Sequence, residues 1–373
     1  MRVWPRRQGR PEGEAGPGGR REAEPHLRRK LATIPLIDVG SEGPPALVAQ
    51  APLQLDRLLR GCQRHYGVIV LRAGDAISRR WLDRSKNPYR GEIYTIARRI
   101  GRPGPTMLNL SFEWSCTSGV GPDIEGSGNR LLRTLDWPAP TLGSTIVVAR
   151  QEGAAGPYYN VTWPGFVGVL TAMAPGRFSV AINQPPMLNV SHSLYLDWVI
   201  GHRTLWRAGG LPPAHLLRQV LDTCHDYDEA LAALREAPIC MPVFYSLSGI
   251  GPEQGCVIER LENRAVVHPA PTSISNHWRG ISRPGHRRGE GSEIRWRAME
   301  EVRDGSANDF SWVVPPIRNA ATRVAVVANA AVGRLIVQGW EQEAPATEIF
   351  TLPARPTADR RNTTPGPPFP QPA

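Results

Sequence analysis

The chain has 373 residues, of which 41% are hydrophobic and 21% are charged, so it can bury a substantial core and is not globally disordered. At about 150 residues per domain, this length allows two domains or one large one. No stretch approaches the roughly 18 consecutive apolar residues of a membrane-spanning helix. Five cysteines without Cys-x-x-Cys spacing argue against a disulfide framework and a zinc ribbon.

The net charge of +10 is concentrated at the N-terminus, where residues 1–30 hold nine basic and four acidic side chains. In the rest of the chain, arginine is interleaved with Asp and Glu, as on a solvated surface, rather than focused in the patch that nucleic acid requires. We therefore expect no specific nucleic-acid partner. The first residues lack the apolar segment of a secretory signal, which favours a cytoplasmic location.

Composition predicts a tail at each end of the chain. Residues 1–32 are rich in Arg, Gly, Pro and Glu and are predicted to form a disordered basic tail. Residues 352–373 contain seven prolines and are predicted to form a flexible Pro-rich tail. The folded part is expected between them, and no internal repeat is present.

Apolar spacing predicts helices from residue 33 to residue 114, and short β-rich runs separated by Pro-Gly turns begin at residue 144. Asp75 and Asp226 are predicted helix N-caps. The predicted helices are Ala76–Asp83, Arg90–Ile100, Thr106–Trp114, Ala214–Thr223, Tyr227–Arg235 and Glu293–Arg303. The predicted strands are Ser144–Ala149, Tyr158–Trp163, Phe166–Met173, Arg177–Ile182, Val243–Leu247, Cys256–Arg260, Arg264–Val267, Arg323–Ala328 and Arg334–Gln338. Strands and helices do not alternate here as they do in βαβ units. This order therefore predicts an α+β fold of largely antiparallel sheets covered by helices.

One cysteine lies where the helical segment gives way to the β-rich one. Cys116 follows Ser115, and Arg133 and Asp136 come within about twenty residues. A thiol of ordinary pKa needs a base or a nearby cation to become a nucleophilic thiolate. Taken alone, Cys116 also fits a small buried hydrophobe, and Arg133 with Asp136 fits a surface ion pair.

Several short motifs follow one another in a specific order between Asn87 and Trp340. The motifs are Asn87–Ile93, Asn109–Trp114, Cys116–Ser118, Arg133 with Asp136, Thr162–Gly168, Ala174–Asn183, Tyr227–Ala230, Pro242–Gly249, Gly255–Arg260, Ser275–Trp278 and Arg287-Arg288. By these motifs the chain resembles the N-terminal nucleophile (Ntn) hydrolases, in the branch of acid ceramidase and the N-acylethanolamine-hydrolysing acid amidase, with choloylglycine hydrolases as more distant relatives.

The resemblance implies a four-layer αββα sandwich and an autocatalytic cleavage. The precursor would cut itself between Ser115 and Cys116, so that residues 33–115 form a mainly helical pro-segment, the α fragment, and residues 116–351 form the hydrolase domain, the β fragment. The two fragments would stay associated. The new α-amine of Cys116, with a pKa of about 7.7–8.0, would serve as general base.

The resemblance also assigns roles to single residues. Cys116 would be the nucleophile, Arg133 would favour its thiolate, and Asp136 would accept hydrogen bonds from the Cys116 amine. Asn183 would donate its amide to the oxyanion. Asn276 and Arg287 would complete the polar network around the scissile carbonyl.

Three of these assignments have alternatives. Arg287 is chosen over Arg288 by its distance from Trp278, although the Asn-to-Trp spacing is shorter here than in the family, and Arg283, Arg295 and Arg297 are expected to be surface charges. Asn183 and Asn276 also fit ordinary turn and loop asparagines. Relatives usually carry Glu where this chain has Gln184, a neutral amide that cannot accept a proton.

The leading functional hypothesis is a cysteine amidase for linear non-peptide amides, such as an N-acyl lipid of the ceramide or N-acylethanolamine type, acting through an acyl-thioester. Trp137 and Trp163, together with Trp114 and Phe166, are expected to line an apolar groove for the acyl chain, and Gln184 to contact substrate. The alternatives are an amidase or acyltransferase for bile-salt-like, lactam or peptide-like amides, and an uncleaved binding protein. Neither a metal-ligand spacing nor a phosphate loop is present, so no cofactor is expected.

Overall fold

The computed structural model describes residues 31–111, 114–191, 193, 196–197, 200, 206 and 208–352. Both predicted tails lie almost wholly outside these residues, as do Phe112 and Glu113 at the end of the predicted helix Thr106–Trp114. None of the described helices combines the length and the apolar character needed to cross a bilayer.

The described residues before Ser115 form mainly helices, with one short strand among them. Gly43, Ala51 and Gly104 precede helices that have proline at the first position, where its missing N–H costs nothing. The elements of this part are β1 (Leu36–Gly40), α1 (Pro44–Gln50), α2 (Pro52–Tyr66), α3 (Val68–Arg84), α4 (Arg90–Ile100) and α5 (Pro105–Asn109).

Among the described residues from Ser115 onward, strands dominate and three longer helices interrupt them. The strands are β2 (Ser115–Pro122), β3 (Asn129–Asp136), β4 (Val147–Gly153), β5 (Gly156–Thr162), β6 (Thr171–Ala174), β7 (Phe178–Asn183), β8 (Met187–Leu188), β9 (Val243–Gly249), β10 (Gly255–Arg260), β11 (Ala265–Pro269), β12 (Thr272–Ile274), β13 (Gly285–His286), β14 (Thr322–Asn329), β15 (Arg334–Glu341), β16 (Ala344–Pro345) and β17 (Phe350–Leu352). The helices are α6 (Pro213–Thr223), α7 (Tyr227–Glu236) and α8 (Ser292–Val302).

The strands of the described part of the chain form two large sheets and one small one. The eight-stranded sheet has the order β1-β4-β5-β6-β7-β9-β10-β11, antiparallel except for the parallel pair β1 and β4. The seven-stranded sheet has the order β12-β2-β3-β14-β15-β16, with β17 also paired to β15. β8 and β13 form a two-stranded ribbon. The prediction of a mixed fold with largely antiparallel sheets is confirmed.

Packing places β2 and β3 against strands of the other sheet. They contact β7 and β9, and residues of both sheets share the largest hydrophobic cluster, among them Leu131, Leu135, Val180 and Leu247. Helices α6 and α7 lie on the eight-stranded sheet, and α8 lies on β2. Cys116 is therefore covered by the second sheet on one face of its strand and by α8 on the other.

Several predicted elements are confirmed closely. The helix Arg90–Ile100 has the predicted bounds, and the carboxylate of Asp226 accepts the backbone N–H of Glu229 at 2.9 Å, as the capping-box spacing predicts. The predicted helices Ala214–Thr223, Tyr227–Arg235 and Glu293–Arg303 correspond to α6, α7 and α8 within a residue or two.

The predicted N-cap at Asp75 is wrong. Asp75 lies inside α3 and is buried. Its carboxylate accepts the backbone N–H groups of Gly104 at 2.7 Å and Met107 at 2.9 Å, so it satisfies the free donors at the start of α5. Asp75 therefore does cap a helix N-terminus, but that of α5, about 30 residues later in the sequence, rather than that of its own helix.

Two predicted strands and the start of the β-rich region are also corrected, and one strand lies where helices were expected. The strand predicted over Phe166–Met173 is confined to Thr171–Ala174, and the one predicted over Ser144–Ala149 begins at Val147. Strand structure begins at Ser115 rather than at residue 144, and the parallel strand Leu36–Gly40 interrupts the region expected to be helical.

Candidate active site

The predicted site residues on β2 and β3 lie on two opposite faces of this strand pair. In the antiparallel pair β2–β3, Ser118 lies opposite Arg133, and Ser115 lies opposite Asp136. Since side chains alternate along a strand, Cys116 and Arg133 share the face toward the other sheet, whereas Asp136 and Ser115 share the opposite face. An Arg and an Asp three residues apart therefore approach Cys116 from opposite sides.

The guanidinium of Arg133 lies beside the Cys116 thiol. Its Nη2 donates to the Cys116 sulfur at 3.1 Å and to the carbonyl of Ile182 at 3.0 Å, and its Nη1 donates to the carbonyl of Leu170 at 2.6 Å and to the hydroxyl of Thr171. Both Cys116 and Arg133 are buried. The charge is thus held against the sulfur by neutral acceptors on the facing sheet.

Two opposing effects act on the Cys116 thiol. Burial raises the pKa of Cys116, because a thiolate is poorly solvated there, while the charge and hydrogen bond of Arg133 pull that pKa back down. The arginine is the strongest group favouring the thiolate form in the uncleaved chain.

Asn276 holds the backbone of Cys116. Its Oδ1 accepts the Cys116 N–H at 3.0 Å, and its Nδ2 donates to the carbonyl of Gln184 at 2.7 Å. Its own N–H donates to the Ser292 hydroxyl at the start of α8. The nitrogen of the Ser115–Cys116 bond is therefore fixed by an amide oxygen, and the structure brings Asn276 into the site.

Arg295, expected to be a surface charge, is buried at the centre of this network, and that expectation is wrong. From α8, its Nη1 donates to the Cys116 carbonyl at 2.8 Å and to the Thr117 hydroxyl at 2.7 Å, and its Nη2 donates to Asn276 Oδ1 at 2.8 Å. Its Nη1 also lies 3.6 Å from Asp136 Oδ2.

Arg287 does not occupy the place expected for it. It is exposed and follows β13, and the described side chains that contact Cys116 or Asn276 include Arg295 but not Arg287. Arg288 donates from Nε to the carbonyl of Pro185 at 3.0 Å. A helix-face argument could have found Arg295, because it stands four residues before the buried Met299 on α8.

Asp136 lies at the site with partners other than the one expected. Its carboxylate accepts the Thr322 hydroxyl and the Asn319 amide, both at 2.9 Å, while in this uncleaved chain the Cys116 N–H goes to Asn276. Burial raises the pKa of Asp136, and the nearby charge of Arg295 opposes that rise.

Asn183 and Gln184 end β7 next to the same cluster. The Asn183 amide donates to the carbonyls of Ile274 and Ser275 at 3.2 Å each, and its Oδ1 accepts the Ser118 hydroxyl at 2.8 Å. Its donors are therefore occupied rather than free for an oxyanion. Gln184 is 1% exposed, and its Nε2 has no hydrogen-bond partner among the described residues.

Trp137 and Trp163 line an apolar cleft. Trp114 contacts Trp137 with ring centroids 5.2 Å apart, and Trp137 contacts Trp163 at 6.3 Å. Cys116 is not among the residues that line this cleft. Its walls are Leu55, Leu58, Leu59, Cys62, Tyr66, Ile100, Pro105, Leu108, Asn109, Trp137, Ala139, Leu142, Trp163, Pro164, Gly165 and Phe166.

In the part of the chain that the structure describes, no three His, Cys, Asp or Glu side chains lie close enough together to hold a metal ion. The five cysteines are all free thiols and all buried.

Comparison with known proteins gives matches over part of the sequence. No protein-family model matches the chain. It is 28% identical to acid ceramidase of Heterocephalus glaber over 116 residues, which is 31% of this chain and 28% of that protein. It is 32% identical to acid ceramidase of Homo sapiens over 99 residues, 26% of this chain and 24% of that protein. The matches thus span about a quarter of the length of these relatives.

Solved structures give weaker likenesses. A Caenorhabditis elegans N-acylethanolamine-hydrolyzing acid amidase ortholog has a TM-score of 0.46 at 20% identity, covering 64% of this chain and 100% of that one. A mutant conjugated bile acid hydrolase from Clostridium perfringens has a TM-score of 0.40 at 12% identity, covering 64% of this chain and 97% of that one. The sequence matches confirm that this chain resembles the acid ceramidase branch of the Ntn hydrolases.

Proposed function

We propose that the chain is a self-cleaving cysteine amidase that hydrolyses linear non-peptide amides, with an N-acyl lipid as the favoured substrate class. The observation that carries this proposal is the buried Arg133 guanidinium 3.1 Å from the Cys116 sulfur. A cation at hydrogen-bond distance from a single thiol is the arrangement that makes cysteine nucleophilic. In the proposed complete fold, helices cover both sheets as a four-layer αββα sandwich.

Self-cleavage would begin at the Ser115–Cys116 bond. The Cys116 sulfur attacks the Ser115 carbonyl carbon, the C–N bond breaks, and the nitrogen takes up the proton to become the Cys116 amine. Asn276 Oδ1, which already accepts the Cys116 N–H, would retain that nitrogen. Water then hydrolyses the thioester, releasing the Ser115 carboxylate and restoring the thiol.

The mature reaction would reuse the same thiol. The Cys116 amine takes the thiol proton, and the thiolate attacks the substrate carbonyl. The C–N bond breaks as the amine product takes the proton, and water hydrolyses the acyl-thioester. Because cleavage turns the single peptide N–H of Cys116 into an amine with further N–H groups, Asp136 would accept hydrogen bonds from that amine in addition to Asn276. Asn183 would have to release Ile274 and Ser275 before it could donate to the oxyanion.

The apolar cleft is the proposed acyl site. The residues that line it are almost all apolar. Trp137 follows Asp136 in sequence, and its ring contacts that of Trp163. Each acyl CH₂ buried there would contribute about 0.8 kcal/mol. Trp114, fully buried and packed on Trp137, stands one residue before the cleavage site. Its release with the new chain end would connect the cleft to the thiol.

A buried polar cluster would keep the two fragments together after cleavage. Arg218 of α6 makes a bidentate pair with Glu92 of α4, at 2.7 and 3.0 Å, and stacks on the Tyr89 ring at 4.4 Å. Asn87 bonds to His215 at 2.8 Å. These contacts join residues before Cys116 to residues after it, so the proposed α and β fragments would co-elute on size exclusion under native conditions.

The first test of the proposal is purified wild type beside Cys116→Ala on a denaturing gel, with N-terminal sequencing. Wild type is expected to give a fragment of about 28 kDa beginning Cys-Thr-Ser, its share of the 41.0 kDa chain, whereas the variant stays intact. The cleaved protein is then assayed on amides that vary in acyl and amine parts. An intact wild type at both mildly acidic and neutral pH, without thiol-dependent amidase activity, would favour a binding protein instead.

A further inference from the structure

The loop before α8 passes directly over the residue that precedes the proposed cleavage site. Gly289 adopts a positive φ of +68°. A Cβ atom built on it would lie 2.7 Å from Ser115 Oγ and 2.8 Å from Ser115 Cβ. It would also lie 3.1 Å from Nη2 of Arg295, which is engaged with Asn276.

These distances are too short for any side chain. Carbon atoms in contact prefer separations of about 3.5–4.0 Å, so a methyl group at Gly289 would displace either Ser115 or its own loop. Because Asn276 and Arg295 fix the backbone of the next residue, Cys116, Ser115 has little room to retreat. Gly289 therefore bounds a small space that the Ser115 side chain fills.

We propose that Gly289 is a specificity-determining residue that forms a subsite for a small substituent on the α-carbon of the acyl group. This inference rests on the proposed function. The same sulfur that attacks the Ser115 carbonyl during self-cleavage attacks the acyl carbonyl of a substrate. The substrate carbonyl therefore takes the place of the Ser115 carbonyl, and its α-carbon takes the place of the Ser115 Cα.

The direction of the acyl chain then follows from the polypeptide path. From Ser115 the main chain leads back to Trp114, which packs on Trp137 at the cleft. An acyl chain that follows this path places its third carbon where the Ser115 nitrogen lies. The Ser115 Cβ position is left for an α-substituent, and for an L-residue this position corresponds to the 2R configuration. The subsite should accept a (2R)-2-hydroxy group and should close when Gly289 gains a side chain.

The chain offers a matched control for the backbone effect. Gly291, two residues further on, also has a positive φ, +56°, but a Cβ there would meet nothing closer than Ile294 at 3.8 Å. Gly289→Ala and Gly291→Ala therefore carry a similar conformational cost, of about 1 kcal/mol. Only the first adds a contact with Ser115.

The first measurement is self-cleavage. Gly289→Ala is expected to cleave at least about tenfold more slowly than Gly291→Ala, because overpacking against Ser115 misplaces its carbonyl relative to the Cys116 sulfur. Adding Ser115→Gly should restore cleavage, since it removes the side chain that the new methyl group contacts. Failure of Ser115→Gly/Gly289→Ala to cleave, while Ser115→Gly alone cleaves, overturns the inference.

The second measurement uses the processed enzymes Ser115→Gly/Gly289→Ala and Ser115→Gly/Gly291→Ala. Both are assayed on amides of one amine whose acyl group is unsubstituted, (2R)-2-hydroxy or (2S)-2-hydroxy. The Gly289→Ala substitution should lower kcat/KM for the 2R substrate at least about tenfold relative to the unsubstituted one, with the 2S ratio unchanged. If the substitution instead disturbed Arg295, kcat/KM would fall equally for all three substrates.

The outcomes separate this inference from the function on which it rests. The subsite is contradicted, but the amidase is not, if the ratio of kcat/KM for the 2R and unsubstituted substrates is the same in both enzymes. The same conclusion follows if kcat/KM falls equally for the 2R and 2S substrates. If neither wild type nor Ser115→Gly cleaves itself or hydrolyses any amide, the proposed function fails, and the subsite fails with it.

Discussion

Arg133 and Cys116 form the closest pairing of a cation with a thiol at this site, with Nη2 3.1 Å from the sulfur. The guanidinium comes from β3, the strand beside that of the thiol, and the carbonyls of Leu170 and Ile182 fix its orientation. The thiol is thus held by side-chain charge on one face of β2, while Arg295 holds the Cys116 main chain from the other face.

The first prediction concerns Arg133 and pH. Burial raises the pKa of Cys116 and Arg133 lowers it, so the thiolate fraction, and with it the rate of self-cleavage, should increase as pH rises through neutrality. Arg133→Met should raise the pKa of Cys116 further, slow cleavage at neutral pH by at least about tenfold, and move the profile to higher pH. Cleavage is followed on gels between pH 5 and pH 9.

The control for Arg133 is Arg287→Met. Arg287 is exposed, although the sequence predicts it at the site, and its replacement should leave the cleavage profile as in wild type. An Arg133→Met profile that coincides with that of Arg287→Met would contradict the assignment of Arg133.

The second prediction concerns Arg295. Lysine keeps the charge but cannot serve the Cys116 carbonyl, the Thr117 hydroxyl and Asn276 at once. In the Cys116→Ala background, which cannot cleave, Arg295→Lys should lower the free energy of unfolding by about 2–4 kcal/mol, because buried acceptors lose a charged donor. Urea unfolding measures this change.

The matched variant is Arg297→Lys on the same helix. Arg297 is exposed, so its replacement should change the free energy of unfolding by no more than about 0.5 kcal/mol. Equal effects of the two substitutions would show that Arg295 contributes no more than a surface charge.

Sequence reasoning predicts part of the residue cluster around Cys116 and misses a part that depends on tertiary packing. Cys116, Arg133 and Asn276 were predicted from their motifs, and the structure places them together. Arg295 was missed because it is 19 residues from Asn276, on a helix whose sequence looks polar. Only the packing of α8 on β2 turns that arginine inward.

The same limit applies to the fold. The strand Ser115–Pro122 was not predicted because Ser, Thr and Gly dominate its sequence, which resembles a loop by composition. It is nevertheless buried on both faces, since β7 and β9 cover one side and α8 the other. An amphipathic helix such as α4 can be predicted, because the spacing of its apolar residues is visible within the segment itself.

The third prediction concerns the acyl cleft. Leu55 lines it from α2, whereas Leu53, two residues earlier, is 70% exposed. Leu55→Trp should fill part of the cleft and reduce kcat/KM for long acyl chains more than for short ones, by about fourfold for each CH₂ that no longer fits. Leu53→Trp should leave the chain-length profile unchanged. An identical profile for both variants would place the acyl chain elsewhere.

The fourth prediction concerns stability in acid. His215 is fully buried, and this burial, reinforced by the charge of Arg218, lowers the pKa of His215 to about 3. In the unfolded chain a histidine binds its proton at a pH of about 6.5. Between these values the unfolded state binds more protons, so the free energy of unfolding falls as pH falls, by about 2–3 kcal/mol from pH 7 to pH 4.5.

The variant His215→Asn isolates this contribution. Asparagine can still accept from Asn87 near the position of Nδ1, where His215 does so at 2.8 Å, but it cannot be protonated. In the Cys116→Ala background, urea unfolding at pH 7, 6, 5 and 4.5 should therefore show a smaller acid dependence for His215→Asn than for His225→Asn, whose histidine is exposed. Parallel curves for the two variants would mean that His215 is not the group that destabilises the fold in acid. A smaller slope for His215→Asn alone would assign part of the acid sensitivity to protonation of His215, which lies on α6 at the contact with Asn87 that joins the two proposed fragments.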